Sequence, residues 1–107
     1  MKSVVRRAKV DDDLRQAVTY YREKAPDVIG KFLDSVEEAF AHIGKHPGMG
    51  SARYAHELDL PGLQFWVCHR FPYLVFYVER SDVIEVWRVL HASRDIPQSL
   101  QAGMPSS

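Results

Sequence analysis

A cluster of polar side chains lies in and directly after the last apolar run of the sequence. The run Val83–Leu90 has the composition of a β-strand. Its polar companions are Arg88, His91, Arg94 and Asp95. Such a set could serve chemistry, such as proton transfer, or the recognition of a partner. The same residue types are also typical of a strand end whose side chains pair with carboxylates or carbonyl groups, and the spacing alone leaves both interpretations open.

Other patterns of reactive residues are weaker. His42 and His46 are four residues apart and would share one face of a helix. A zinc site needs a third protein ligand, and the sequence has no His-Glu-x-x-His pattern. Cys68 lies in a strand-like run, where a small buried apolar side chain is its expected role. A single cysteine is typical of a reducing compartment, so we expect a cytoplasmic protein without metal or other cofactor.

Length and charge restrict the classes of function. The chain has 107 residues, enough for one domain with a single core, and no apolar run approaches the roughly 20 residues that span a bilayer. Fourteen basic and fourteen acidic residues give a formal net charge of zero. Proteins that bind nucleic acid alone are usually basic, because phosphate neutralisation supplies much of the affinity. We therefore expect a protein partner, with no membrane and no direct nucleic-acid binding.

Two helices follow a short first strand, which is predicted over residues 3–8. The acidic run Asp11–Asp13 offers an N-cap for the first helix. That helix should end near Lys24, because Pro26 disfavours helical geometry in the residue before it. Pro26 itself suits the first turn of the second helix. The apolar positions at helical spacing are Leu14, Ala17, Val18 and Tyr21 in the first helix and Ile29, Phe32, Leu33, Val36, Phe40 and Ile43 in the second.

The periodicity changes to two after His46–Gly50, a glycine- and proline-containing segment that ends the second helix. Residues 54–60 are predicted as a short strand. Three further strands are predicted over residues 64–70, 73–80 and 83–90. The connections between these three are too short for crossovers, so the strands must be antiparallel neighbours.

These elements predict a small α+β domain over residues 1–98, followed by a flexible tail over residues 99–107. The architecture is an N-terminal strand, an antiparallel helical hairpin and an antiparallel meander sheet, in two layers. The last two strands carry bulky apolar side chains on both faces. The face away from the hairpin should therefore be covered as well, by the tail or by another chain.

The layout and several local patterns resemble the ParE/RelE superfamily of bacterial toxin–antitoxin toxins, and most closely its ParE branch. The matching segments are residues 12–21, 46–50, 73–77 and 84–95, which together extend over most of the chain. The resemblance implies a toxin that a ParD-like antitoxin neutralises and that inhibits DNA gyrase without being an enzyme. The alternatives are a RelE-like ribosome-dependent mRNA endonuclease and an inert relative that still binds an antitoxin.

The sequence departs from the RelE pattern at the cations that would bind RNA. Leu74 stands where RelE-like toxins carry an arginine after the tyrosine of the penultimate strand, and the preceding strand has no lysine. Without fixed cations a scissile phosphate loses its main stabilisation, so we expect no catalytic residues. The two strand tyrosines suit core or interface packing. The candidate partner- or target-binding residues are Arg70, Tyr73, Tyr77, Arg88, His91, Arg94 and Asp95.

Overall fold

Four strands form one sheet and four α-helices pack on it in the computed structural model, which describes residues 2–102. In chain order the elements are β1 Ser3–Arg6, α1 Ala8–Lys24, α2 Ile29–Lys45, α3 Arg53–Leu58, β2 Leu63–Val67, β3 Tyr73–Glu79, β4 Val83–His91 and α4 Ile96–Ala102. Short 3-10 turns at Pro26–Val28 and Pro47–Met49 precede and follow α2. No helix in this part of the chain is long and apolar enough to cross a membrane.

The sheet has the strand order β1-β4-β3-β2. β2, β3 and β4 are antiparallel neighbours, as predicted. β1 and β2 are the two edge strands, and β1 lies parallel to β4. A bulge opposite Phe76 and Tyr77 inserts one extra residue, Trp87, into β4. Val86 and Val89, three residues apart, consequently belong to the same core cluster.

The first helix starts earlier than the acidic residues suggested. Arg7 donates its backbone N–H to Val86 O and accepts from Val10 N–H, so α1 begins at Ala8 directly after β1. The predicted N-cap at Asp11–Asp13 is therefore wrong. Asp13 lies inside the helix and is buried. The predicted end at Lys24 is confirmed.

The hairpin α1–α2 packs on one face of the sheet, as predicted. Phe32, Val36, Phe40 and Ile43 of α2 are buried in the same cluster as Val75, Val86 and Val89, with Leu14, Val18 and Tyr21 of α1 half-buried against it. Leu33 is 40% exposed, so its predicted core position is wrong. Ser35 and Ala39 are buried instead, which turns the contact stripe of α2 away from Leu33.

Two short helices cover the other face of the sheet. The segment predicted as a strand over residues 54–60 is helical, because Tyr54, Ala55 and Leu58 lie on one side of α3 and pack against the second core cluster. Ile96 and Leu100 of α4 are buried there. The boundary expected between residues 98 and 99 thus falls inside a packed helix, and residues 103–107 lie outside the described part. The chain itself covers its second apolar face.

Cys68 follows β2 and is buried, at 4% exposure. Burial raises the pKa of its thiol to about 11, although the Ser35 hydroxyl acts in the opposite direction. In the unfolded chain the thiol ionises near its ordinary value of 9.0. Between pH 9 and about pH 11 the thiol is therefore protonated in the folded state and ionised in the unfolded state.

The free energy of unfolding should fall as the pH rises from about 9 to about 11, by up to about 1.4 kcal/mol per pH unit for this thiol. Its contribution is fully present below pH 9 and is lost as the buried group ionises. Urea titrations of the wild type and of Cys68→Ala across this range test it. Tyrosines ionise in the same range, so the difference between the two proteins isolates the thiol, and parallel pH profiles would contradict the prediction.

Candidate functional site

A cavity of about 320 Å³ lies between α1 and the C-terminal end of β4. Three of the predicted site residues, Tyr73, His91 and Arg94, line it together with Ser93. Tyr73 and His91 are partners in the register of β3 and β4, which is why residues 18 positions apart meet here. The remaining lining residues are Asp13, Gln16, Ala17 and Tyr20 of α1 and Val89 and Leu90 of β4.

His91 is oriented by the turn that follows β4. The backbone N–H of Ser93 donates to His91 Nδ1 at 3.0 Å, and Ser93 Oγ lies 2.7 Å from the same nitrogen. Because Nδ1 accepts a backbone hydrogen bond, the proton of the neutral ring lies on Nε2. The edge of the ring meets Tyr73 at a centroid distance of 5.1 Å and an angle of 83°. The turn therefore fixes both the tautomer and the position of the ring.

Tyr73 is a neutral hydroxyl group at the cavity. Burial raises the pKa of its phenol to about 12, with Tyr21 and Tyr20 acting in the same direction and Arg94 against it. At neutral pH the phenol keeps its proton, so it can donate a hydrogen bond but cannot serve as a base. Arg94 lines the same cavity as this hydroxyl.

Arg88 is a structural residue that ties three elements together. Its Nε and Nη2 donate to the two carboxylate oxygens of Asp13 at 2.8 and 2.7 Å, and its Nη1 donates to Ser99 O at 2.6 Å. Asp13 also accepts the backbone N–H of Val89 at 3.0 Å. The two side chains are only 6% and 2% exposed. This bidentate pair joins α1, β4 and α4 and leaves Arg88 unavailable to a ligand.

Glu79 and Glu85, the acidic residues of β3 and β4, do not pair with Arg88. Glu79 pairs with Lys2 at 2.9 Å. Glu85 accepts hydrogen bonds on one oxygen from three residues, Arg7, Arg80 and Trp87. Both acids are engaged elsewhere, and Asp13 of α1 pairs with Arg88 instead.

The other candidate residues lie away from the cavity or serve the fold. Asp95 accepts the Gln98 N–H at 3.1 Å and so caps the first turn of α4. Tyr77 is fully buried and donates its hydroxyl to Pro47 O at 2.7 Å. Arg70 lies in the turn between β2 and β3 with a positive φ of 69°. The residues that line the cavity thus include Tyr73, His91 and Arg94 but not Asp95, Tyr77 or Arg70.

The histidine pair at the end of α2 packs against an aromatic side chain. The ring of His42 stacks on Trp66 at a centroid distance of 3.8 Å. The centroid of the His46 ring lies 5.2 Å from that of His42. Among the described residues, no group of three potential metal ligands occurs. The arrangement is packing between α2 and β2.

Sequence reasoning missed Asp13, which is central to the site. Val10, Asp13 and Ala17 recur at helical spacing and are all buried. A carboxylate in such a stripe requires a buried cationic partner, because an unpaired buried charge is costly. That signal could have indicated the pair with Arg88, whereas Gln16, Tyr20 and Ser93 carry no comparable signal.

The fold is shared with a known toxin–antitoxin structure. A solved chain described as belonging to the chromosomal ParDE TA system from P. aeruginosa matches with a TM-score of 0.72 and 18% sequence identity. The match covers 87% of this chain and 98% of that chain. No curated protein sequence matches significantly. The architecture is thus one that a ParDE system uses.

The amino-acid sequence matches the model of a protein family over most of its length. The family model described as ParE toxin of type II toxin-antitoxin system, parDE, matches residues 4–96. This range contains the hairpin, β2, β3 and β4, all of β1 except Ser3, and the cavity residues Tyr73, His91 and Arg94. The chain belongs to the ParE toxin family, as the resemblance of its segments predicted.

Proposed function

We propose that the chain is the toxin of a type II toxin–antitoxin module in the bacterial cytoplasm, that a ParD-like antitoxin neutralises it, and that it inhibits DNA gyrase. The observation that carries this proposal is membership of the ParE family over residues 4–96. The neutral net charge supports protein partners over bare nucleic acid.

The geometry supports a toxin that is not a ribonuclease. Arg88, the arginine within the sheet, is buried and its donors are used by Asp13 and Ser99. Leu74 is buried in the second core cluster. Tyr73 keeps its proton at neutral pH, and burial raises its pKa further, to about 12. At the cavity Arg94 remains as the lining arginine, which is little positive charge for stabilising a phosphate transition state.

Expression of the chain in a bacterial host should stop DNA replication and induce the DNA-damage response before protein synthesis falls. The purified protein should inhibit supercoiling by purified gyrase. Co-expression of the protein encoded beside the gene should restore growth and supercoiling. Incorporation of labelled thymidine and of labelled methionine after induction measures the order of events.

The same experiment separates the alternatives. Early arrest of translation with cleaved messages on ribosomes would replace the proposal by a RelE-like endonuclease. Binding to the neighbour-encoded protein without any growth arrest would identify an inert relative.

A further inference from the structure

We propose that the cavity between α1 and the end of β4 is a carboxylate-binding site and that its occupant is an acidic side chain of the antitoxin. The choice of occupant rests on the proposed function. Three donors support the carboxylate chemistry: the Tyr73 hydroxyl, His91 Nε2–H and the Arg94 guanidinium, all at the lining of one cavity.

The Tyr73 hydroxyl is the most informative of these donors. The residue is 6% exposed, yet its hydroxyl makes no hydrogen bond with any residue between 2 and 102, whereas the neighbouring core tyrosine, Tyr77, donates to Pro47 O. The hydroxyl is accessible from the cavity, so water or a ligand there can accept the hydrogen bond that no protein group accepts. Because the phenol stays protonated, the acceptor that it favours is an anionic oxygen.

The other two donors are unoccupied by protein groups. Ser93 uses only Nδ1 of His91, which leaves the Nε2 proton free in the neutral ring. Arg94 is exposed and forms no ion pair within the described residues. Its planar guanidinium can bind both oxygens of a carboxylate. His91 and Arg94 therefore add an imidazole N–H and a guanidinium to the tyrosine hydroxyl.

The remaining lining favours a peptide over a nucleic-acid strand. Ala17, Val89 and Leu90 provide apolar contacts for the aliphatic part of an acidic side chain. The exposed ring of Tyr20 lies beside them. A nucleic-acid backbone needs several cations along its path, whereas Arg94 is the one arginine among the residues that line the cavity. At about 320 Å³ the cavity is at the small end of ligand sites, which fits one side chain.

Two variants test the site without disturbing the core. Tyr73→Phe removes a hydroxyl that has no protein partner, and Arg94→Gln removes an exposed cation. Each should weaken binding of the neighbour-encoded antitoxin about tenfold or more, with an unchanged thermal midpoint. Arg22→Gln, an exposed arginine of α1 away from the cavity, is the matched control and should not change the affinity. Calorimetry of wild type and variants measures this.

The acidic residues of the antitoxin can be replaced by their amides, one at a time. One of these replacements should weaken binding to the wild-type toxin as much as Arg94→Gln does. Combining that replacement with Arg94→Gln should add little further loss, because both remove one interaction. Equal affinities for all toxin variants would overturn the site while leaving the proposed function intact. Failure of the wild-type toxin to bind the antitoxin would instead overturn the proposed function and the named occupant.

A probe that does not depend on the antitoxin decides the carboxylate chemistry. Sodium acetate at constant ionic strength should shift the imidazole NMR signals of His91 saturably, and Tyr73→Phe and Arg94→Gln should weaken this binding. The absence of a saturable shift in the wild type would overturn the carboxylate site. Stronger competition by inorganic phosphate or by a single-stranded oligonucleotide would overturn the choice of an acidic peptide.

Discussion

Replacing Asp13 by alanine should lower the free energy of unfolding by about 3–5 kcal/mol, because the guanidinium of Arg88 would stay buried without a countercharge. The Arg88 side chain is 6% exposed and two of its donors point at the Asp13 carboxylate. The backbone N–H of Val89 would lose its acceptor as well. A loss of this size is a large part of the stability of a small domain. Urea denaturation followed by fluorescence of the two tryptophans measures it.

The neighbouring residue provides a matched control. Asp12 forms an exposed ion pair with Arg15 at 3.3 Å, with 51% and 76% of the two side chains accessible. Such pairs contribute little, so Asp12→Ala should change the unfolding free energy by less than about 1 kcal/mol. Replacing both buried partners, as Asp13→Leu with Arg88→Met, should recover much of the loss, since apolar residues of similar volume often substitute for a buried ion pair. Equal effects of Asp12→Ala and Asp13→Ala would contradict this account of the pair.

The hairpin and the meander could be predicted because their signal is repeated along the chain. Phe32, Val36 and Phe40 recur at helical spacing, and each additional turn strengthens the pattern. The strands are joined by connections so short that only antiparallel neighbours are possible. The helix boundary near Lys24 was similarly fixed by a local rule, the restriction that Pro26 imposes on the residue before it.

The errors arose where tertiary packing overrode local preference. Asp11–Asp13 satisfy the rule for an N-cap, but the backbone pairing of Arg7 with Val86 starts the helix before them. The ion pair of Asp13 and Arg88 joins residues 75 positions apart and follows no local rule. The segment Arg53–Leu58 has too few turns for its periodicity to distinguish a helix from a strand.

The site was predicted only in part for the same reason. His91 and Arg94 were marked by their place after the last strand, and Tyr73 by its strand position. That they share one cavity depends on the register of Tyr73 with His91 and on the closing wall of α1. The exclusion of Arg88 from this set depends on its ion pair with Asp13, a contact between residues far apart in the sequence.

Truncation of Phe32 to alanine should cost about 3–5 kcal/mol of stability. Phe32 is fully buried, and its ring centroid lies 5.0 Å from Tyr73, 5.3 Å from Tyr21 and 5.4 Å from Phe71. Removal of the ring would open a cavity in this aromatic cluster, which the rigid helix and strands could close only in part. Thermal and urea unfolding of the variant measure the loss.

The adjacent residue of the same helix tests the orientation of α2. Leu33 is 40% exposed, so Leu33→Ala should cost less than about 1.5 kcal/mol although both residues are large and apolar. Phe32 also supports the candidate site, because its ring packs directly on the ring of Tyr73. Phe32→Leu, which keeps most of the volume, should retain acetate binding better than Phe32→Ala at a temperature where both remain folded. A loss from Leu33→Ala as large as that from Phe32→Ala would mean that α2 presents a different face to the sheet.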